Sequence, residues 1–155
     1  MDKINVIKEE AEQLLTKMIN TCEVEVTEDE GIFHIVIKSE EEAPTIIGRH
    51  GETIRAIQKI LEVVLYKKLG EPVDILVNVN DYREKQKERL EGIAKDVAER
   101  TKETTQPGYL RGMSAYERKL IHEFITNNYP ELTTYSVGEG RDRRLVIDLK
   151  KEDQA

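Results

Sequence analysis

The stretch Ile46-Ile47-Gly48-Arg49-His50-Gly51-Glu52-Thr53-Ile54 decides how this chain is read. Two glycines bracket two basic-type residues between short apolar runs, and an amphipathic helical pattern then continues to Leu69. Glycine permits backbone conformations and a close approach that a Cβ prevents, and Arg49 adds a charge suited to phosphate. Amide N–H groups at the start of the following helix, with its dipole, favour an anion at the same place. Ile46, Ile47 and Ile54 beside the turn are expected to offer an apolar surface to unstacked bases. A bare G-x-x-G is equally an ordinary helix-to-helix turn, so its meaning depends on the elements around it.

Upstream, Ile4, Ile7, Ala11, Leu14, Leu15, Met18 and Ile19 recur at helical spacing and predict a helix over 3–20. Two strands should follow: Glu23 to Thr27 alternates, Asp29-Glu30-Gly31 is a turn, and Phe33, Ile35 and Ile37 share one face across 32–38. His34 then falls on the opposite face as a strand-surface residue. Pro44 opens a short helix through Ile47. Beyond the glycine turn, a helix over 52–69 turns Ile54, Ile57, Leu61, Val64 and Leu65 inward and stops at Gly70, and Val73 to Val79 is a strand. Helix, strand, strand, helix, G-x-x-G, helix, strand makes a complete unit over 1–80.

Downstream, Asp81 and Glu84 have capping-box spacing at the start of a highly charged helix over 82–104, whose narrow stripe is Leu90, Ile93, Ala94 and Val97. Such a helix links two domains and packs on the second. Pro107-Gly108 ends it, and Tyr109-Leu110-Arg111 has room for a short strand. Ser114-Ala115-Tyr116-Glu117 is a second capping box, opening a helix over 115–128 with Leu120, Ile121, Phe124 and Ile125 buried. Thr133 to Val137 and Arg144 to Leu149 then form a hairpin around Gly138 to Asp142. On the helix, Arg118 and His122 stand one turn apart on the same face, with Lys119 beside them. Arg111, Arg141, Arg143 and Arg144 add charge nearby; a solvated helix face is the plainer reading of Arg-x-x-x-His alone.

Composition bounds the function. The chain has 155 residues, a single cysteine (Cys22) and three histidines, so it forms no internal disulfide and no Cys/His zinc cluster. No run approaches the ~18 apolar residues of a membrane span, and the N-terminus lacks a signal-peptide layout, so a cytoplasmic location is expected. The net charge of −7 opposes nucleic-acid binding at first sight. Residues 106–155, however, hold eight basic and eight acidic residues, so the excess lies wholly in the first two-thirds and local patches decide. Neither Ser114 nor Ser136 sits in a nucleophile elbow, there is no His-Glu-x-x-His, and the glycine turn lacks the Gly-Lys-Ser/Thr of a nucleotide loop. No catalytic residue, metal ligand or cofactor is expected, and the carboxylates read as solvated faces.

Residues 1–80 resemble a KH domain of the prokaryotic, type II order, with Gly48-Arg49-His50-Gly51 as its signature loop. Residues 81–151, beginning with linking helix 82–104, resemble the small single-stranded nucleic-acid-binding domain named for an Arg, three intervening residues and a His, here Arg118 and His122. Met113-Ser114-Ala115-Tyr116-Glu117-Arg118, and Tyr135 to Gly140 followed by Arg143-Arg144, make the whole similar to the Jag family (SpoIIIJ-associated, also called KhpB). The resemblance implies an α+β fold of two small domains: type II KH helices on a three-stranded sheet, then two helices on a small three-stranded sheet. It implies a bacterial cytoplasmic protein that binds single-stranded RNA and regulates after transcription, linked to cell elongation, division or envelope control. Gly48, Arg49, His50 and Gly51, with Ile47 and Ile54, would hold RNA in the first domain, and Arg118, His122, Lys119, Arg143 and Arg144 in the second. Homodimers and pairing with a small KH protein are family features, and the additional N-terminal Jag domain of many members is read as lacking here. Single-stranded DNA remains an alternative ligand, because backbone-and-base recognition is shared. A dimeric protein-interaction scaffold without nucleic-acid binding is another.

Overall fold

The computed structural model describes residues 2–151 and divides into two compact units, Met1–Arg83 and Glu84–Ala155. Both are α+β, each with helices packed on a three-stranded sheet.

In the first unit, helix α1 (Lys3–Leu15) precedes strands β1 (Glu23–Asp29) and β2 (Ile32–Lys38). These pair antiparallel through a two-residue turn in which Glu30 and Gly31 both have positive φ, 49° and 84°, the twist that suits a tight hairpin. Next come α2 (Ala43–Ile47), a short 3₁₀ turn over Arg49–Gly51, α3 (Glu52–Leu69) and β3 (Asp74–Val79). The helical crossover brings β3 parallel to β2, giving the order β1-β2-β3. Ile7, Ala11 and Leu15 of α1 and Ile54, Ile57, Leu61 and Leu65 of α3 close over Phe33, Ile35, Ile37, Ile75, Val77 and Val79. Cys22 is half-buried against this core, and its thiol pKa is raised, first by burial and then by the charges of Glu12 and Glu42.

Two expectations need correction. The predicted helix over 3–20 ends at Leu15: Lys17 and Met18 N–H turn back three residues, to Leu14 and Leu15 O, tightening the chain into a turn that leaves Met18 37% exposed. Val64, expected inside, is 37% exposed, because the apolar stripe of α3 is wider than the surface the sheet can cover.

In the second unit, α4 (Tyr82–Thr104) is followed by β4 (Gly108–Leu110), α5 (Ala115–Asn128), β5 (Leu132–Val137), a 3₁₀ turn and β6 (Arg144–Leu149). The sheet is antiparallel in the order β4-β6-β5. Leu90, Ala94 and Ala98 of α4 and Ile121 and Ile125 of α5 pack with Leu110, Leu132, Leu145 and Ile147. The small residues of α4 let it sit close: a Cβ on Gly108 would overlap the Val97 side chain. The capping box at Ser114 is complete, with Glu117 N–H to Ser114 Oγ at 3.2 Å and Ser114 N–H to Glu117 Oε2 at 2.8 Å.

Candidate nucleic-acid interface

The glycine turn is shaped by sterics before any ligand is considered. Gly48 has φ 72° and ψ 179°, a region essentially closed to residues with a side chain, and a Cβ there would overlap the Thr53 side chain. Gly51 is left-handed at φ 72°, ψ 17°, and its Cβ would come within 2.9 Å of the Tyr82 hydroxyl. Between them Arg49 is exposed, and half-buried His50 is held at φ 53°. Arg55, one turn into α3, donates from Nη1 to His50 O at 3.0 Å and fixes the crest of the loop.

The amide cradle is smaller than the sequence suggests. Gly48 N–H is bonded to Pro44 O at 2.9 Å, Gly51 N–H to Gly48 O at 3.3 Å, and Glu52 N–H to Arg49 O. The apolar margin is smaller too. Ile46 and Ile54 are 0% and 2% exposed, so they are core residues and not a surface for bases; the helical periodicity that turns Ile54 inward wins. Only Ile47, half-buried, keeps surface next to the loop.

Long-range contacts set where this loop sits, and none is visible as a local motif. Asn80, left-handed at φ 51°, accepts from Ser39 N–H at 3.1 Å and donates to Ser39 O at 2.8 Å, and Ser39 Oγ accepts Glu42 N–H at 3.1 Å. These bonds anchor the entry to α2. The Glu42 carboxylate accepts both Asn20 N–H, at 3.1 Å, and Thr21 N–H, at 3.2 Å, and those backbone bonds hold its pKa below the usual carboxylate value. It is therefore not the solvated carboxylate expected from composition. On the outer edge of β3, Gln58 Oε1 accepts Val77 N–H at 3.1 Å while Arg83 Nε donates to Val77 O at 2.6 Å. Side chains thus occupy the backbone groups of this edge strand.

In the second unit, Arg118, Lys119, His122 and Arg143 line one shallow depression of about 260 Å³, together with Thr134, Tyr135 and Ser136. Arg118 Nη1 donates to Met113 O at 2.7 Å, and Arg143 Nη1 to Gly138 O at 2.9 Å, so both guanidinium groups are oriented by the backbone. His122 Nδ1 meets Thr134 Oγ1, which leaves Nε2 as the ring nitrogen for a ligand. Arg144 is not part of this depression. Its guanidinium lies 5.2 Å from the Tyr109 ring centroid on the sheet. The sequence reading also missed Glu117 as a buried group: it is 1% exposed, closing the helix cap with Arg89 Nη2 3.5 Å away. Among the described residues no cluster of His, Cys, Asp and Glu could hold a metal ion, and no helix is long and apolar enough to cross a membrane.

Comparison with known proteins matches both units. A KhpA/KhpB KH-domain model matches residues 8–77, and the model of the Arg-x-x-x-His domain matches residues 88–149. The chain is 31% identical over 131 residues to the RNA-binding protein KhpB of Clostridium symbiosum, covering 84% of this chain and 58% of that protein. It is 34% identical over 113 residues to the RNA-binding protein KhpB of Bacillus subtilis (strain 168), covering 72% of this chain and 54% of that one. With the RNA-binding protein KhpB of Lactiplantibacillus plantarum it shares 34% over 106 residues, covering 68% and 33%. The chain thus spans between 33% and 58% of the length of these curated relatives. Both domain types are binding modules and not catalysts, so the protein is not an enzyme. A KH domain followed by an Arg-x-x-x-His domain, matched in that order and along its length to these relatives, places the chain in the Jag/KhpB family.

Proposed function

We propose that the protein binds single-stranded RNA with both units and regulates it after transcription in a bacterial cytoplasm. The observation that carries this reading is the depression in the second unit. Three cationic side chains, Arg118, Lys119 and Arg143, and the His122 imidazole converge there with no carboxylate in the lining, in a chain whose net charge is −7. A local basic patch supplies the phosphate attraction that the whole molecule lacks. In the first unit, exposed Arg49 on a strained, side-chain-free turn gives a second phosphate contact, with Ile47 beside it. Two weak sites on one chain raise avidity through effective concentration. The matched relatives are RNA-binding proteins by name, which supports RNA as the ligand. The link to elongation, division or envelope control, and pairing with a second KH chain, rest on the family resemblance.

The glycines themselves are poor test positions, since substitution would strain the fold. Arg49→Asp with His50→Asp is the better variant: Asp tolerates the left-handed φ of position 50 and reverses the charge. Fluorescence anisotropy with an unstructured oligoribonucleotide should show weaker binding for this variant and for Arg118→Ala, with unchanged circular dichroism. Full affinity in both would leave the scaffold reading standing. A DNA oligomer of the same sequence, titrated in parallel, tells whether the 2′-hydroxyl is read.

A further inference from the structure

The outer face of the second unit's sheet carries an aromatic surface that none of the roles above uses. Leu110, Leu132, Leu145 and Ile147 turn toward α4 and α5, so the alternate residues of the same strands face away from both helices. Register sets Tyr109 of β4 and Tyr135 of β5 opposite one residue, Val146 of β6. A row Tyr109, Val146, Tyr135 therefore crosses all three strands on one face. The two tyrosines are 52% and 47% exposed, and Val146 between them is 1% exposed although it lies outside the core cluster that the helices cover. Arg144, two residues before Val146 and on the same face, holds its guanidinium over the Tyr109 ring, and its buried Nε has no hydrogen-bond partner among the described residues.

This face continues the phosphate-holding depression. Tyr135 lines that depression together with Arg118, Lys119, His122 and Arg143, and β5 is an edge strand of the sheet. A polynucleotide leaving the depression meets Tyr135 as soon as it crosses that edge. Tyr135 and Tyr109 stand two inter-strand spacings apart, roughly 10 Å, which separates two bases without stacking them on each other. Aromatic rings and guanidinium planes accept any base face, and the adjoining arginines match the charge of the strand.

We propose that this sheet face is a stacking platform for unpaired nucleobases. Tyr135 and Tyr109 each receive one base of a strand whose phosphates lie on Arg118, Lys119 and Arg143, and Arg144 extends the Tyr109 platform with its own plane. The proposal rests on the RNA-binding reading and adds the residues that touch bases. It is tested on the full chain with Tyr109→Leu and Tyr135→Leu, which keep Val146 covered and remove the π face, and with the corresponding Phe variants. The probes are a fluorescein-labelled oligoadenylate and an abasic strand of the same length. Each Leu variant should bind the base-bearing strand roughly tenfold more weakly, with an unchanged salt slope, because stacking releases no counterions. Phe variants should keep wild-type affinity, and the abasic strand should bind wild type and Leu variants alike. If Arg118→Ala weakens binding while both Leu variants match wild type, or if their loss is equal on the abasic strand, the platform is overturned and the RNA-binding reading survives. Wild-type protein that binds neither strand overturns both. A loss in a Leu variant counts only where its thermal melt matches wild type; failing that, the Phe variants decide through their tyrosine-like affinity.

Discussion

Replacing Gly48 by alanine separates a glycine that the loop's geometry demands from one that merely ends a helix. At φ 72° and ψ 179°, Gly48 occupies a conformation that costs a side-chain-bearing residue about 1–3 kcal/mol. Its new Cβ would also overlap the Thr53 side chain and stand 2.9 Å from Thr53 N, which adds an overpacking cost of about 1–3 kcal/mol. Gly70, the C-cap of α3, has a similar φ of 76° but ψ 6° and nothing within 4 Å of its would-be Cβ. Alanine there incurs only the left-handed penalty, about 1–2 kcal/mol. Gly48→Ala should therefore cost about 2–6 kcal/mol, and each kcal/mol lowers the melting temperature of a unit this size by about 4–8 °C. Thermal unfolding followed by circular dichroism reads the difference directly. Thr53→Ala in the Gly48→Ala background should recover part of the loss, since it removes the Oγ1 overlap and leaves the Cβ contact, a coupling of about 1 kcal/mol in a double-mutant cycle. Equal melting shifts in Gly48→Ala and Gly70→Ala, or strict additivity with Thr53→Ala, would refute the claim that Thr53 enforces the shape of the turn.

Two further perturbations probe the supports of the two sites. The fold favours ionised Glu42, so its contribution is complete above the ordinary carboxylate range and disappears as pH falls through its lowered pKa; Glu42→Gln should flatten that acid limb in urea unfolding, and an identical limb contradicts it. Glu117→Ala removes both arms of the α5 capping box and should cost about 1–2 kcal/mol in chemical denaturation, whereas Glu117→Gln, which can still reach Ser114 N–H, should cost less.

Local signals in the sequence carried most of the architecture. The hairpin at Glu30-Gly31, the Ser114 capping box, the stop at Gly70 and the alternation of Phe33, Ile35 and Ile37 each depend on residues a few positions apart. The G-x-x-G turn was legible for the same reason, since its positive φ values are a property of the glycines themselves. What escaped reading is non-local. Glu42 gripping Asn20 and Thr21, and Asn80 gripping Ser39, span 21 to 41 residues of chain, and no spacing rule announces them. Ile54 illustrates a conflict between two readings of one residue: next to a binding loop it looked like surface, but its place in the stripe of α3 makes it core. Tyr109 and Tyr135 looked unrelated because only the pairing of β4 and β5 with β6 brings them opposite the same valine.

The most direct test of RNA binding by the basic depression is the salt dependence of affinity for an unpaired oligoribonucleotide, in wild type and in Arg118→Ala with Arg143→Ala. Wild type should bind at low ionic strength, and the double variant should show a log–log slope shallower by about 1.4, because each lost single-strand phosphate contact removes about 0.7. Wild type that retains no oligoribonucleotide, or a double variant with the wild-type slope, would contradict it.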